Sequence, residues 1–326
     1  MSAQKVSVIL PTYNRAALLS TAIESVLGQS FRDLELLVVD DGSADDTGAL
    51  ARRYQDADAR VRYLRQENRG VSAAMNAGIR AARGEMIARI DSDDRWLPDL
   101  LETEVSILRA RPEIGLVYSR GQWMDQDLNP LSTILGQTPH FPNDTLRSML
   151  WGDATCNITV VVRRECFDRA GFFDESLATS EDWDMWLRTA FHYDFVFVDR
   201  VLAHVRRHDD NATRARGPSL AVLLDARGRV LDKFFSCGDL SPRIAAMKSA
   251  AYRNLYIYEA NIWFATGNRR RALRALARAL RSGGNPADTT ARIAWFNLVH
   301  PIVGRTAAGR DLLRWESNLR RRLRAR

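Results

Sequence analysis

The chain has 326 residues, 46% hydrophobic and 27% charged, the balance of a globular protein able to bury a sizeable core. That composition excludes disorder, collagen and coiled coil as the main architecture, and the length suggests two domains, or one large domain with an appendage. The formal net charge of +7 is unevenly spread: residues 269–326 carry 15 Arg, no Lys and three acids (Asp288, Asp311, Glu316), a net of +12, so the preceding residues are mildly acidic.

This distribution argues against nucleic acid as a partner. Only Lys5, Lys233 and Lys248 are lysines among 47 basic residues, and so strong a preference for Arg along the whole chain reflects codon composition rather than a selected surface. A basic tail also suits anionic lipid headgroups. No apolar run approaches the roughly 18 residues of a membrane span. The start of the chain enters the apolar run 6–10 directly, which is too short for a signal peptide, so a cytoplasmic location is expected. The triplets at Asn143, Asn157 and Asn211 are then chance matches to a glycosylation site. Cys156, Cys166 and Cys237 form no CxxC pair, which excludes a disulfide framework or zinc knuckle.

In chain order, residues 6–10 predict a buried strand stopped by Pro11-Thr12-Tyr13-Asn14. Apolar residues from Leu18 to Leu27 recur at helical spacing. A second strand, 34–39, ends at Asp40-Asp41-Gly42-Ser43, and a helix follows over 47–54. Residues 61–64 predict a third strand, 72–83 a helix closed by Gly84, and 86–90 a fourth strand ending at Asp91-Ser92-Asp93-Asp94. Pro98 opens a helix to Arg109, and 115–118 predict a fifth strand. This alternation implies βαβ units and a mostly parallel sheet, with ligands at the carboxyl ends of the strands. Acids clustered there make a concentrated negative field suited to a cation. Taken singly, each cluster also fits a turn or a helix cap. From about Leu220 the strand signals fade, and 220–235, 243–266 and 270–281 predict helices. The last two resemble one tetratricopeptide-like hairpin, but a lone unit reads better as a helical appendage.

Five segments occur in order: 6–15 (VSVILPTYNR), 38–43 (VVDDGS), Asn68-Arg69-Gly70 with Asn76-Ala77-Gly78, Asp91–Asp94, and Glu181-Asp182-Trp183-Asp184. Together they resemble a family 2 glycosyltransferase, over about residues 5–215. The resemblance implies a GT-A (Rossmann-like) α/β fold with a mostly parallel central sheet and a C-terminal helical appendage. The implied domains are 1–217, with a nucleotide-sugar half at 1–119 and an acceptor half at 120–217, and a helical region with a basic tail at 218–326. It implies donor contacts from Pro11, Thr12, Tyr13, Asp41, Asn76, Asp91 and Asp93, with Tyr13 stacking on the base and Asp41 accepting a base N–H. Asp93 is the implied ligand of Mn²⁺ or Mg²⁺, hard cations that suit oxygen ligands and a departing diphosphate. Asp91 would contact the ribose or metal-bound water, while Asp40 and Asp94 read as structural. Met75 stands where many relatives carry a basic residue, for which Arg69 or Arg80 could substitute.

The resemblance puts the catalytic base at Asp182, with Glu181 and Trp183 beside it as candidate acceptor or diphosphate contacts. Acids at 181 and 182 also suit a helix N-terminus for its dipole. His208 is a candidate third metal ligand and Arg207 a diphosphate clamp; a polar turn before Asp209-Asp210-Asn211 is the other reading. No Gln-x-x-Arg-Trp motif follows, which disfavours a processive synthase. The implied activity is inverting transfer of a sugar from a nucleotide-sugar, with UDP-sugars favoured, to a glycan or lipid-linked acceptor in cell-surface polysaccharide synthesis. The rival is a catalytically degenerate nucleotide-sugar-binding or scaffold protein of the same fold. Residues 291–326 are apolar and then arginine-rich, which fits a peripheral site on the inner face of the membrane or a helix packed on the core.

Overall fold

The computed structural model describes residues 5–126, 129–207, 220–238 and 240–284. The chain divides into two units, Met1–Ala226 and Arg227–Arg326. In the first, β1 (Val6–Thr12), β2 (Leu34–Asp40), β3 (Val61–Arg65) and β4 (Met86–Arg89) lie parallel in the order β3-β2-β1-β4. Every residue of β1 and β2 is buried. Helices on both faces explain the continuous apolar runs. Val8 and Leu10 join Leu19 and Ile23 of α1 (Ala16–Leu27) in the core. Ile9, which points the other way, meets α3 (Val71–Ala81), reached after α2 (Thr47–Ala57).

Beyond β4 the sheet is mixed. It continues through β5 (Arg95–Trp96), α4 (Leu100–Ala110), β6 (Ile114–Met124), β7 (Pro130–Leu135), α5 (Thr145–Trp151), β8 (Val161–Arg163), α6 (Glu165–Ala170), α7 (Glu181–Ala190) and β9 (Asp194–Arg206). The full order is β3-β2-β1-β4-β8-β6-β9-β5, with β7 beside β6. β8 runs antiparallel to β4 and β6, β5 antiparallel to β9, and β7 antiparallel to β6, whereas β9 is parallel to β6. The parallel half is thus the one that the βαβ alternation predicts.

The strands β5, β7, β8 and β9 lie outside the five that the sequence predicts, and the fifth of those is longer than expected. The strand predicted at 115–118 runs on to Met124 because its polar second half, Ser119 to Gln122, pairs with β9. β9 itself, 13 residues long, has no clear apolar signal. Ser119 pairs with Val198 and Arg120 with Val201. Asp199 and Arg200 therefore bulge out and break the alternation.

At the amino edge of the sheet Glu35 is buried. Its carboxylate accepts from Ser7 Oγ (2.6 Å), Arg62 Nη1 (2.8 Å) and the Arg83 N–H (2.6 Å). Burial alone would raise its pKa, but these hydrogen bonds hold it below the usual range.

Helix α8 (Leu220–Phe235) spans the boundary between the units in sequence, and the second unit continues with α9 (Pro242–Ala245), α10 (Lys248–Ala265) and α11 (Arg269–Arg281). The single helix predicted over 243–266 breaks at Ala246-Met247, where Met247 N–H bonds Ile244 C=O in the tighter 3₁₀ spacing. Gly267, at φ +78°, makes the turn into α11, which Asn268 caps through the Arg271 N–H. Ala272, Ala275 and Ala279 bury against Ile257 and Ala260, while Arg271 and Arg278 stack on Trp263 and Tyr256.

The glycine of Asn76-Ala77-Gly78 has a packing role. A Cβ at Gly78 would lie 2.6 Å from Ile9 Cγ2, in a fully buried contact between α3 and β1. Gly78→Ala gains helix propensity worth about 1 kcal/mol but overpacks a site that has no room, which costs about 1–3 kcal/mol. The expected result is net destabilisation of about 1 kcal/mol, read as a lowered urea midpoint with an unchanged slope.

Candidate active site

The loops after β1 and β2 are fastened to each other. Ser43 Oγ accepts from the Asn14 N–H and Thr47 Oγ1 from the Arg15 N–H, both at 2.9 Å, while Asn14 Oδ1 accepts from the Ala44 N–H at 2.8 Å. Asn14 takes a left-handed backbone, φ 51°, a conformation that Asn tolerates better than most residues. Gly42, at φ +83°, sits close against the next loop, where an added Cβ would lie 2.9 Å from the Asn68 backbone nitrogen. Asp40 is fully buried and accepts from the Ser43 N–H and the Tyr63 hydroxyl.

Asp41 holds the next loop. Its carboxylate accepts from Gln66 Nε2 (2.7 Å), the Arg69 N–H (2.9 Å) and the Gly70 N–H (2.8 Å). Three of about four acceptor positions are filled, so one remains for a ligand. Pro11 and Thr12 are buried at the carboxyl end of β1, whereas Tyr13 is 40% exposed. Thr12 Oγ1 is buried with no hydrogen-bond partner. Buried hydroxyls are ordinarily hydrogen-bonded, so Thr12 offers an unfilled donor and acceptor at this strand end.

The turn after β4 brings Asp91 and Asp93 to the same edge. Arg89 Nε donates to Asp91 Oδ1 at 2.9 Å, and Arg15 Nε lies 3.9 Å from Asp93 Oδ2. Asp94 is buried and accepts from the Arg206 N–H at 2.9 Å, tying the turn to β9. Burial, with Asp93 and Asp91 nearby, pushes its pKa well above the usual range.

Helix α7 begins at Glu181, directly after Ser180 in a left-handed conformation, φ 62°. Glu181 Oε1 is 3.9 Å from Arg89 Nη1, which brings the helix start to the Asp91 turn. Burial and the neighbouring Asp182 push the Glu181 pKa up to about 7, against the lowering effect of Arg89. Asp182 Oδ1 accepts from the Trp183 N–H at 2.7 Å. Asp184 is buried in a fork with Arg188, which also donates to the Phe172 carbonyl.

Arg89 thus links Asp91 to Glu181, beside Asp182, and Arg15 links Asp93 to the loop after β1 that carries Thr12 and Tyr13, where the Asp41 N–H bonds the Thr12 carbonyl. Two candidates face elsewhere. Trp183, taken from sequence as an acceptor or diphosphate contact, is 3% exposed, and its Nε1 donates to the Met149 carbonyl; it packs α7 onto α5. Asn76, taken as a donor contact, is buried, with its amide tied to both backbone groups of Phe173 and to Glu175. It fastens α3 to the segment before α7. Met75 lies in the core. Arg69 pairs with Glu175, and Arg80 stacks on Phe172. Arg207 follows β9 and donates its N–H to the Met124 carbonyl, while His208 lies outside the described residues. Sequence reasoning passed over Arg89, although an arginine inside the apolar run 86–90 was a visible signal.

Residues 7–161 match the sequence profile of the family described as glycosyl transferase family 2. Over those residues the chain carries that family's domain. An uncharacterized glycosyltransferase of Rickettsia typhi is 31% identical over 218 residues, covering 64% of this chain and 65% of the relative. Chondroitin synthase of Escherichia coli is 28% identical over 208 residues, covering 64% of this chain but 30% of the synthase. The chain therefore spans less than two thirds of either relative. Among solved structures, Staphylococcus aureus TarS 1–349 in complex with UDP-GlcNAc superposes with a TM-score of 0.66 at 16% identity, over 90% of this chain and 89% of TarS. The mannosyltransferase PcManGT of Pyrobaculum calidifontis, in complex with GDP-Man and Mn²⁺, gives 0.56 at 23% identity, over 95% and 85%. These likenesses show the fold, a GT-A-type α/β architecture with C-terminal helices.

A raised carboxyl pKa binds protons more tightly in the folded state. Its stabilisation is therefore full below the unfolded pKa, near 4.5 for Glu181, and is lost as pH rises through about 7. Glu181→Gln removes this dependence. Across pH 5, 6, 7 and 8 the variant is expected to gain about 1–3 kcal/mol relative to the parent protein, and to level off above pH 8. Urea denaturation at each pH measures this.

Proposed function

We propose that this family 2 glycosyltransferase moves a sugar from a nucleotide-diphosphate sugar to a hydroxyl acceptor, with inversion at the anomeric carbon and with a divalent cation. The observation that carries the reading is Arg89, which pairs with Asp91 at 2.9 Å and lies 3.9 Å from Glu181, the residue before Asp182, while Asp93 of the same turn lies 3.9 Å from Arg15 of the loop after β1. The nucleotide-sugars bound by TarS and PcManGT support the same donor class here. UDP-sugars are the favoured donors.

The donor set fits a hard cation. Among the described residues no group of three or more His, Cys, Asp or Glu forms a metal site by itself. One or two carboxylates, completed by substrate phosphates and water, is how Mg²⁺ is commonly held, and Mn²⁺ shares the preference for carboxylate and water oxygens. Asp93 would hold the ion with Asp91 beside it. When bound, the ion neutralises charge on the departing diphosphate. Asp182 takes the proton of the acceptor hydroxyl as the oxygen attacks the anomeric carbon. Tyr13 and Asp41 orient the base, and Thr12 supplies a further polar contact. The buried Asp184–Arg188 fork keeps the first turn of α7 rigid, which holds the Asp182 carboxylate in place.

The acceptor in this reading is a glycan or lipid-linked glycan of cell-surface polysaccharide synthesis, and chondroitin synthase among the relatives accords with a polysaccharide product. No helix among the described residues is long and apolar enough to cross a membrane. A peripheral site on the inner membrane face would rest on 291–326, which lie outside the described residues.

A thermal-shift and product-release panel of UDP- and GDP-sugars, with and without Mn²⁺, tests the reading. Cation-dependent release of UDP or GDP from a panel sugar is the expected result, and its absence from every donor would overturn the proposal. Asp93→Ala is expected to abolish nearly all cation-dependent turnover. Asp182→Asn, which keeps shape but accepts no proton, is expected to lower kcat by about 10²–10⁴-fold with donor affinity nearly unchanged. Calorimetry beside turnover separates the two effects. Flotation on anionic vesicles is expected to recover the full chain and lose a 1–290 truncation; equal binding by both removes the membrane role.

A further inference from the structure

Arg89 is a charged residue at the end of a strand that is otherwise Met86, Ile87 and Ala88. It is 7% exposed and paired in register with Ile9, on the strand where the parallel half of the sheet meets antiparallel β8. Taking a guanidinium out of water is unfavourable unless carboxylates surround it. Here they come from two segments about ninety residues apart. On one side Nε donates to Asp91 Oδ1 at 2.9 Å. On the other, Nη1 lies 3.9 Å from Glu181 Oε1, and the Asp182 carboxylate also acts on the guanidinium.

The fork is incompletely used. Nη1 is buried with no hydrogen-bond partner, and 3.9 Å is too long for a hydrogen bond. The group that would satisfy it is therefore the start of α7, at slightly closer range. Contacts within active sites are often long without substrate and tighten in the reactive complex. The guanidinium has a fixed planar geometry, so filling both sides fixes the separation of the two carboxylate segments, which a lysine could not do.

We propose that Arg89 is a positioning residue that sets the spacing between the donor-side turn at Asp91–Asp93 and the proton-accepting helix start at Glu181–Asp182. This rests on the function proposed above. Arg89 touches neither the sugar nor the acceptor. It places the base relative to the anomeric carbon, and a misplacement of about 1 Å at that point can lower turnover about 10²-fold.

The test compares Arg89→Met and Arg89→Lys with the parent protein. Calorimetry with UDP and Mn²⁺ gives affinity and the number of competent sites, and release of nucleoside diphosphate from the panel donor turned over fastest gives kcat per competent site. Arg89→Met is expected to bind UDP within about threefold of the parent while kcat per site falls about 10²-fold. Arg89→Lys is expected to recover about tenfold of that loss, because it restores the charge without the fork. A loss of folding alone lowers the number of sites and leaves kcat per site unchanged, which would overturn the proposal. A fall in UDP affinity that matches the fall in turnover would also overturn it, since Arg89 would then serve the donor site only. If Arg89→Met does not fold, Arg89→Lys carries the comparison, with an expected loss of about tenfold.

A parent protein that releases nothing from any panel donor would refute the proposed function. The spacing role is then judged by melting temperatures of Arg89→Lys, Glu181→Gln and the double variant. Shifts that depart from additivity by about 2 °C or more support the link, and additive shifts overturn it.

Discussion

Negative charge crowded at one edge of a buried sheet is the constraint around which this protein is arranged. Asp40, Asp41, Asp91, Asp93, Asp94, Glu181 and Asp182 gather at the strand ends and the adjoining helix start, and several of them are buried. Buried carboxylates persist when they are paired, hydrogen-bonded or protonated. All three solutions occur side by side. Asp40 and Asp41 are hydrogen-bonded to neighbouring loops, Asp91 pairs with Arg89, and Asp94 holds a raised pKa. The division of labour follows. Asp40, Asp41 and Asp94 shape loops through these bonds, and in the function proposed here Asp41 keeps one acceptor position for the donor as well.

The scaffold that permits this crowding has different properties in its two halves. The parallel half, β3-β2-β1-β4, aligns the carboxyl ends of four strands, so successive loops open on the same edge. The mixed half brings α7 back toward that edge and anchors it by packing. Trp183 is fixed to α5, and Asp184 and Arg188 clasp the segment before the helix. Asn76 and Glu175 make a further tie across the front of α3. The residues between Gly171 and Ser180 are therefore a strut between the two halves.

The parallel half was legible because burial on both faces leaves continuous apolar runs that stop at Pro11, Asp40 and Asp91. β9 was illegible because its bulge at Asp199 and Arg200 breaks the alternation, and β5 because two residues make no pattern. Motif order picked out segments that the fold gathers at one edge, but not side-chain direction. Within Glu181-Asp182-Trp183-Asp184, helical geometry turns Trp183 and Asp184 inward and leaves the first two residues at the edge. Asn76 is the same case, a motif residue whose amide serves a neighbouring loop. Arg89 was visible as a charge in an apolar run, and its meaning needed the partner about ninety residues away.

The acids at the two ends of the sheet respond to protons in opposite directions. Glu35, at the amino edge, is held as a carboxylate by Ser7, Arg62 and Arg83, so acid weakens that end. Asp94 and Glu181, at the carboxyl edge, favour the protonated state, so alkali weakens the other. Tolerance to pH is therefore bounded from each side by a different part of the molecule. The limit toward higher pH is imposed by the grouping of acids that, in the function proposed here, also holds the cation.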